Sequence, residues 1–246
     1  VASQFMPLTG PYDSQDEAIL EYQVLVMKLS ALDGVIVDWY GMEDYNDYAA
    51  INAATGKLFD VITRAGLNFV ICYEDRTLGT MTSDDYMTHE DAIAQGQADI
   101  AYAQAQWFSS DAYVTYQEQP LLFVFGPLYF RQVDHWEAIF NALDPAPALV
   151  TLDGHLGFAA LTSYPWPPME MSAGIELPQT ILQSYLERFY RNAQRTEMIV
   201  GTAFPGFYDI YEEADVRSSY GYIDARDGDT LRETLTMALE HDPAIV

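Results

Sequence analysis

The sequence predicts an α/β fold built on one parallel sheet, open or closed into a barrel. Three observations predict it. Short β-branched or aromatic runs alternate with longer segments of helical period along the whole chain. The runs are almost continuously apolar, which suits parallel strands covered on both faces. Carboxylates and aromatic rings recur where the runs end, the side on which parallel α/β folds gather their functional groups.

Gln15 to Leu32 predicts a first helix, with Ile19, Tyr22, Val26 and Leu29 on one stripe. Gly34-Val-Ile-Val-Asp-Trp-Tyr40 is the first buried strand, and a helix over Tyr45–Ala65 leads to the second, Asn68-Phe-Val-Ile-Cys-Tyr-Glu74. In the helix over Thr88–Phe108, Thr88 stands three residues before Asp91, a capping-box-like start with a shorter acid than glutamate. Leu121–Gly126, Ala148–Asp153 and Met198–Ala203 read as further strands, and Ser219–Asp224 as a weaker one. Between them lie helices over Val133–Leu143, ending before Pro145, over Pro178–Arg195, with proline in the first turn, and over Asp229–Leu239. Tyr164-Pro-Trp-Pro-Pro168 is a loop. With no linker and no low-complexity tract, residues 1–246 count as one domain.

Composition narrows the function. Half of the 246 residues are hydrophobic and 20% charged, which excludes disorder. No apolar run reaches the ~18–20 residues of a membrane span. Asp and Glu number 37 against 11 Lys and Arg, a formal charge of −26. Such a surface repels phosphate backbones and anionic lipid, so neither nucleic acid nor a membrane is the expected partner. The acidity fits an extracellular or periplasmic protein, or adaptation to high salt. Cys72, the single cysteine, excludes an intrachain disulfide and reads as a small core residue. The four histidines are scattered, without metal-ligand spacing, and Asp84-Asp85 reads as solvated loop charge. There is no phosphate loop and no nucleophile elbow. Neither a cofactor nor a metal is expected.

The run ends carry the candidates. The first ends Asp38-Trp39-Tyr40, the second Tyr73-Glu74-Asp75-Arg76 and the fourth at Asp153. The fifth runs into Phe207-Tyr208-Asp209, and the sixth holds Tyr222 and Asp224, followed by Arg226. Rings beside carboxylates suit a sugar: its CH face stacks on a ring while its hydroxyls bond to the acids. Most glycosidases need two carboxyl groups, one held protonated near neutral pH. Glu74 and Asp38 are the expected catalytic pair. Trp39, Tyr40, Tyr73, Asp75, Asp153, Phe207, Tyr208, Asp209, Tyr222, Asp224 and Arg226 are expected to bind substrate. Arg226 has a plainer role open to it, pairing with Asp224 or Asp227. Trp107 and Trp136 lie on helices and read as packing.

Several segments resemble bacterial proteins of glycoside hydrolase families 99 and 71. Gly10-Pro-Tyr-Asp-Ser14, Glu21-Tyr22, Met27-Lys28-Leu29 and Asp33-Gly-Val-Ile-Val-Asp-Trp-Tyr-Gly41 open the match, the last being the most specific. Ile71-Cys-Tyr-Glu-Asp75, Phe123-Val-Phe-Gly-Pro127, Phe204-Pro-Gly-Phe-Tyr-Asp209 and Tyr220-Gly-Tyr-Ile-Asp224 continue it in order across nearly the whole chain. The resemblance implies a (β/α)8 barrel that hydrolyses α-linked glycans, α-mannosides in family 99 or α-1,3-glucans in family 71. In family 99 configuration is retained through attack by the substrate's own 2-hydroxyl, assisted by carboxyl groups. Glu74 aligns with that family's sugar-contacting glutamate at the end of the third barrel strand, with Asp75 and Arg76 replacing the usual context. The family's catalytic glutamates follow the last strand. The resemblance therefore implies that residues 1–246 hold strands two to seven and the start of eight, a barrel incomplete at both ends, with the principal acid and base beyond residue 246 and further chain segments completing it. A catalytically silent glycan-binding barrel is the alternative, and a cation-binding α/β protein a weaker one.

Overall fold

The computed structural model describes residues 6–166, 175–215 and 218–246. The chain divides into two compact units, Tyr12–Ala160 and Val1–Pro11 with Leu161–Val246.

The first unit carries a parallel sheet. Its elements run α1 (Glu17–Leu29), β1 (Gly34–Trp39), α2 (Tyr48–Ala65), β2 (Asn68–Tyr73), α3 (Arg76–Ser83), α4 (His89–Ala103), β3 (Thr115–Tyr116), β4 (Gln119–Val124), α5 (Val133–Phe140) and β5 (Ala148–Leu152). β1, β2, β4 and β5 lie side by side and parallel, while the short β3 turns back antiparallel onto β4. Ile36 stands opposite Val70, Asp38 opposite Cys72, Cys72 opposite Phe123 and Phe123 opposite Val150. Because side chains alternate along a strand, these residues share one face of the sheet. Trp39, Tyr73 and Val124 share the other, against the helices.

The helix ends follow local chemistry. Asp16 caps α1 by accepting from the Ala18 and Ile19 amides, and Gly66 closes α2 in the left-handed conformation. The capping box is present: the Thr88 side chain accepts from Asp91 N, and the Asp91 side chain from Thr88 N. The expected helix over Thr88–Phe108 is broken at Ala103, after which Gln104–Phe108 winds as a π-helical turn that buries Trp107. Trp136 is buried too, and Cys72 is a buried free thiol.

One expected core stripe is corrected. α1 buries Leu20 and Val24, whereas Tyr22, Val26 and Leu29 are exposed, Leu29 by 79%. Apolar residues occur around the whole circumference of this helix, so its period does not choose a face.

The second unit comprises β6 (Thr162–Tyr164), α6 (Gln179–Ala193), β7 (Phe207–Tyr208), β8 (Tyr222–Ile223) and α7 (Asp229–Leu239). Leu182, Leu186, Phe189 and Tyr190 of α6 pack with Leu177, Ile223 and Ala238 in its core. β7 and β8 pair antiparallel. The strand expected over Met198–Ala203 is reduced to one parallel bridge, Val200 to Ile245, and that over Ser219–Asp224 to Tyr222–Ile223. Pro178 caps α6 from just outside rather than sitting in its first turn. Of the loop expected over 164–168, residues 167 and 168 lie outside the described residues. No helix among the described residues is long and apolar enough to cross a membrane.

Candidate functional site

The ends of β1 and β2 bring two expected acids together. Register places Asp38 beside Cys72, and Glu74 follows two residues later on the same face, its amide donating to the Trp39 carbonyl at 3.0 Å. The Tyr40 hydroxyl donates to the Asp38 carboxylate. The Tyr40 ring meets Tyr48 edge-on at 5.4 Å, which holds it beside the strand end.

The electrostatics follow from this crowding. Burial first, and then the charge of Asp38, raise the Glu74 carboxyl from 4.5 to about 7, with Arg76 opposing and Asp75 adding to the rise. Asp38 is raised by the same desolvation, with the Tyr40 hydrogen bond holding the rise down. Tyr40 is pushed up by burial first, then by the charges of Asp38 and Glu74. Near neutral pH Glu74 therefore retains its proton part of the time, next to a second carboxyl that is itself pushed up by burial and a neutral phenol. A cleft of about 450 Å³ between α1, α2 and β1 takes Asp38 into its lining, together with Asp47, Tyr12, Gln15, Val37 and Ile51. That volume lies in the range of ligand clefts, about 300–1,000 Å³.

Three neighbours expected to bind substrate sit in the framework behind the site. Trp39 is fully buried on the helix side, stacked on Tyr102 at 6.2 Å and edge-on to Trp107 at 5.3 Å, with its indole N–H donating to Asn52. It offers no face to a sugar. Tyr73 is equally buried and donates to Asp99 Oδ2 at 2.7 Å. Asp75 is fully buried, its oxygens accepting from the amides of Leu128, Tyr129 and Phe130 at 2.8, 2.9 and 2.6 Å. It anchors the loop that leaves β4. The physical reason is the two-residue period: Trp39 and Tyr73 point away from the face that carries Asp38 and Glu74. Asp153 follows β5, and its carbonyl lies 3.4 Å from His155 Nδ1.

The other expected residues belong to the second unit. Asp209 is buried and accepts from the amides of Tyr211 and Tyr220, clamping that loop. Phe207 packs against the α6 core. Tyr208 donates to Glu213 at 2.6 Å, and Tyr222 to Glu176 at 3.4 Å. Asp224 accepts from the Arg226 amide at 2.9 Å. The Arg226 guanidinium pairs with Glu233 and donates to Thr230, so its ion pair is made with neither Asp224 nor Asp227. Among the described residues no three His, Cys, Asp or Glu side chains are gathered as a metal site.

Sequence reasoning missed Asp99 on α4, a buried carboxylate behind the two strand ends. Its signal was its place on the helix's buried stripe, between Gly96 and Ile100.

No protein-family model and no curated protein matches the chain. Solved structures do resemble it. The family 99 endo-α-mannosidase of Bacteroides thetaiotaomicron, in complex with BIS-TRIS propane, is 15% identical with a TM-score of 0.69, over 100% of this chain and 73% of that one. A second structure of a family 99 endo-α-mannosidase from that organism gives 15%, 0.68, 100% and 70%. A glycoside hydrolase-like protein is 9% identical with a TM-score of 0.70, over 95% of this chain and 74% of that one. What these chains share with the present one is the fold.

Proposed function

We propose that this protein is a glycoside hydrolase acting on α-linked glycans, with the strands forming part of a (β/α)8 barrel and the ends of β1 and β2 contributing to its sugar-binding face. The observation that carries the proposal is the Asp38–Tyr40–Glu74 group, two carboxyls and a phenol crowded at adjacent strand ends, where burial and the neighbouring Asp38 push Glu74 up to about 7. The shared fold with endo-α-mannosidases supports the same reading.

The chemistry follows from the protonation states. A neutral Glu74 donates a hydrogen bond to a ring hydroxyl or a leaving oxygen, which a carboxylate cannot do. Asp38, in its ionised form, accepts from a neighbouring hydroxyl and strengthens that bond as the hydroxyl becomes more acidic in the transition state. We carry a retaining reaction, in which the substrate's own 2-hydroxyl attacks, as part of the proposal, with Glu74 and Asp38 as polar contacts in or near the cleavage subsite, α-mannan as the first substrate to examine and α-1,3-glucan as the second. An extracellular or periplasmic setting belongs to the same proposal, since polymeric glycans are met there.

The test is hydrolysis of α-mannan and α-1,3-glucan by the full-length protein, followed by the anomeric proton signals of the products. Retention of configuration is expected, as is a loss of turnover of about a hundredfold or more in Glu74→Gln with an almost unchanged melting temperature. Unchanged turnover in that variant removes Glu74 from the site. Glycan binding without turnover assigns the protein as a glycan-binding barrel instead.

A further inference from the structure

Asp99 lies on the buried stripe of α4 with Ala92, Gly96, Ile100 and Ala103, and is 1% exposed. Alanine, glycine and isoleucine on either side show a stripe built for close packing, where a carboxylate is costly unless its oxygens are engaged. They are engaged. Oδ2 accepts from the Tyr73 hydroxyl at 2.7 Å, while Oδ1 accepts from the Met42 amide at 3.0 Å and from Gln95 Nε2 at 2.9 Å. Gly41 presses on the same carboxylate: its φ is +87°, and a Cβ there would come within 2.5 Å of Oδ2.

The placement of these partners is informative. Gly41 and Met42 follow directly on Tyr40, which donates to Asp38. Tyr73 directly precedes Glu74. One buried side chain thus grips the strand end that carries Asp38 and the strand end that carries Glu74. We infer that Asp99 is a positioning residue that locks the turn after β1 to the end of β2 and so keeps Asp38, Tyr40 and Glu74 gathered. Its own carboxyl is raised to about 6 in all, by burial first and by Glu43 in the turn, against the hydrogen bonds of Tyr73, the Met42 amide and Gln95. Released from this grip, the turn lets Tyr40 and Asp38 move toward solvent, and Glu74 loses the neighbouring charge that opposes its ionisation.

The inference extends the proposed glycosidase site and rests on that reading only for its role in turnover. The full chain is labelled for carboxyl-carbon NMR, and the ionisation midpoint of Glu74, assigned with Glu74→Gln, is read in four forms: native, Asp99→Ala, Asp99→Asn and Gly41→Ala. In Asp99→Ala the midpoint is expected to fall by about half a pH unit or more, and exchange of the Met42 amide to quicken about tenfold or more. Asp99→Asn keeps an oxygen for the Met42 amide and restores most of both. Gly41→Ala leaves Asp99 in place but drives the turn away, so the same fall is expected there even if Asp99→Ala does not fold. A Glu74 midpoint equal to the native one in whichever of Asp99→Ala and Gly41→Ala folds overturns the inference. Neither readout requires a substrate, so a native protein inactive on every α-glycan counts against the glycosidase reading alone. Where turnover is found, folded Asp99→Ala lowers kcat more than it raises KM.

Discussion

Asp38 and Glu74 stand on the same face of two adjacent parallel strands, and the charge of Asp38 adds to burial in resisting ionisation of Glu74. The relationship has a consequence for stability. A carboxyl raised from 4.5 to about 7 binds its proton more tightly in the folded chain than in the unfolded one. Between those pH values the folded state holds more protons, so this group's contribution to stability falls as pH rises through the window and is constant above it. With part of the group open to solvent, the full effect is about 1–2 kcal/mol. Glu74→Gln removes the charge, so it should be more stable than the native protein at pH 8 by about that amount, with the difference closing below pH 4.5. Urea unfolding of both forms across this range checks it; a difference that does not change with pH refutes the linkage.

Asp75, the next residue, anchors the framework. It is fully buried with three amides on its oxygens, and those amides belong to the segment that leaves β4. Asp75→Ala strands three amide donors, that of Phe130 buried and those of Leu128 and Tyr129 part-buried, and is expected to cost about 3 kcal/mol. Denaturant unfolding measures this. A loss below about 1 kcal/mol would return Asp75 to the set of ligand contacts.

Much of the sheet was legible because β1, β2, β4 and β5 are apolar runs bounded by polar or turn residues, and the observed strands fall on those runs. The short α3 was not legible. Arg76-Thr-Leu-Gly-Thr-Met-Thr-Ser83 is rich in residues of modest helix propensity, and only Thr77, Leu78 and Met81 are buried. The acids Asp38 and Glu74 could be found because they end strands. Alternation was the unused signal for the buried placement of Trp39 and Tyr73: a residue next to Asp38 or Glu74 along its strand faces the opposite side. Asp99 carries no motif. Its partners lie 26 and 57 residues away in sequence, and only the fold brings them together.

Trp39 provides a direct check on that alternation. Its ring is enclosed by Tyr73, Tyr102 and Trp107, and its N–H is spent on Asn52. Trp39→Phe removes a buried hydrogen bond and part of an aromatic cluster, for a loss of roughly 1–3 kcal/mol. Affinity for a glycan, read by calorimetric titration, should be unchanged. A large loss of affinity without loss of stability would place the indole in contact with sugar.

Salt dependence follows from the charge imbalance of 37 acidic against 11 basic residues. The ion pairs among the described residues join Arg64 to Glu17 and Glu21, Arg226 to Glu233 and Arg232 to Asp229, all on partly or largely exposed side chains. Screening such pairs costs at most about 1 kcal/mol each. Screening the repulsion among a formal −26 acts over the whole surface, because at about 1 M salt the Debye length shrinks to roughly 3 Å. The repulsion therefore outweighs the pairs, and the melting temperature should rise between low salt and molar KCl, by about 4–8 °C for each 2 kcal/mol of repulsion relieved. Thermal melts of the native protein in the two solutions decide the sign. A clearly lower melting temperature in KCl would show that the specific pairs outweigh the net charge, and would remove high-salt adaptation as the reason for the acidic surface.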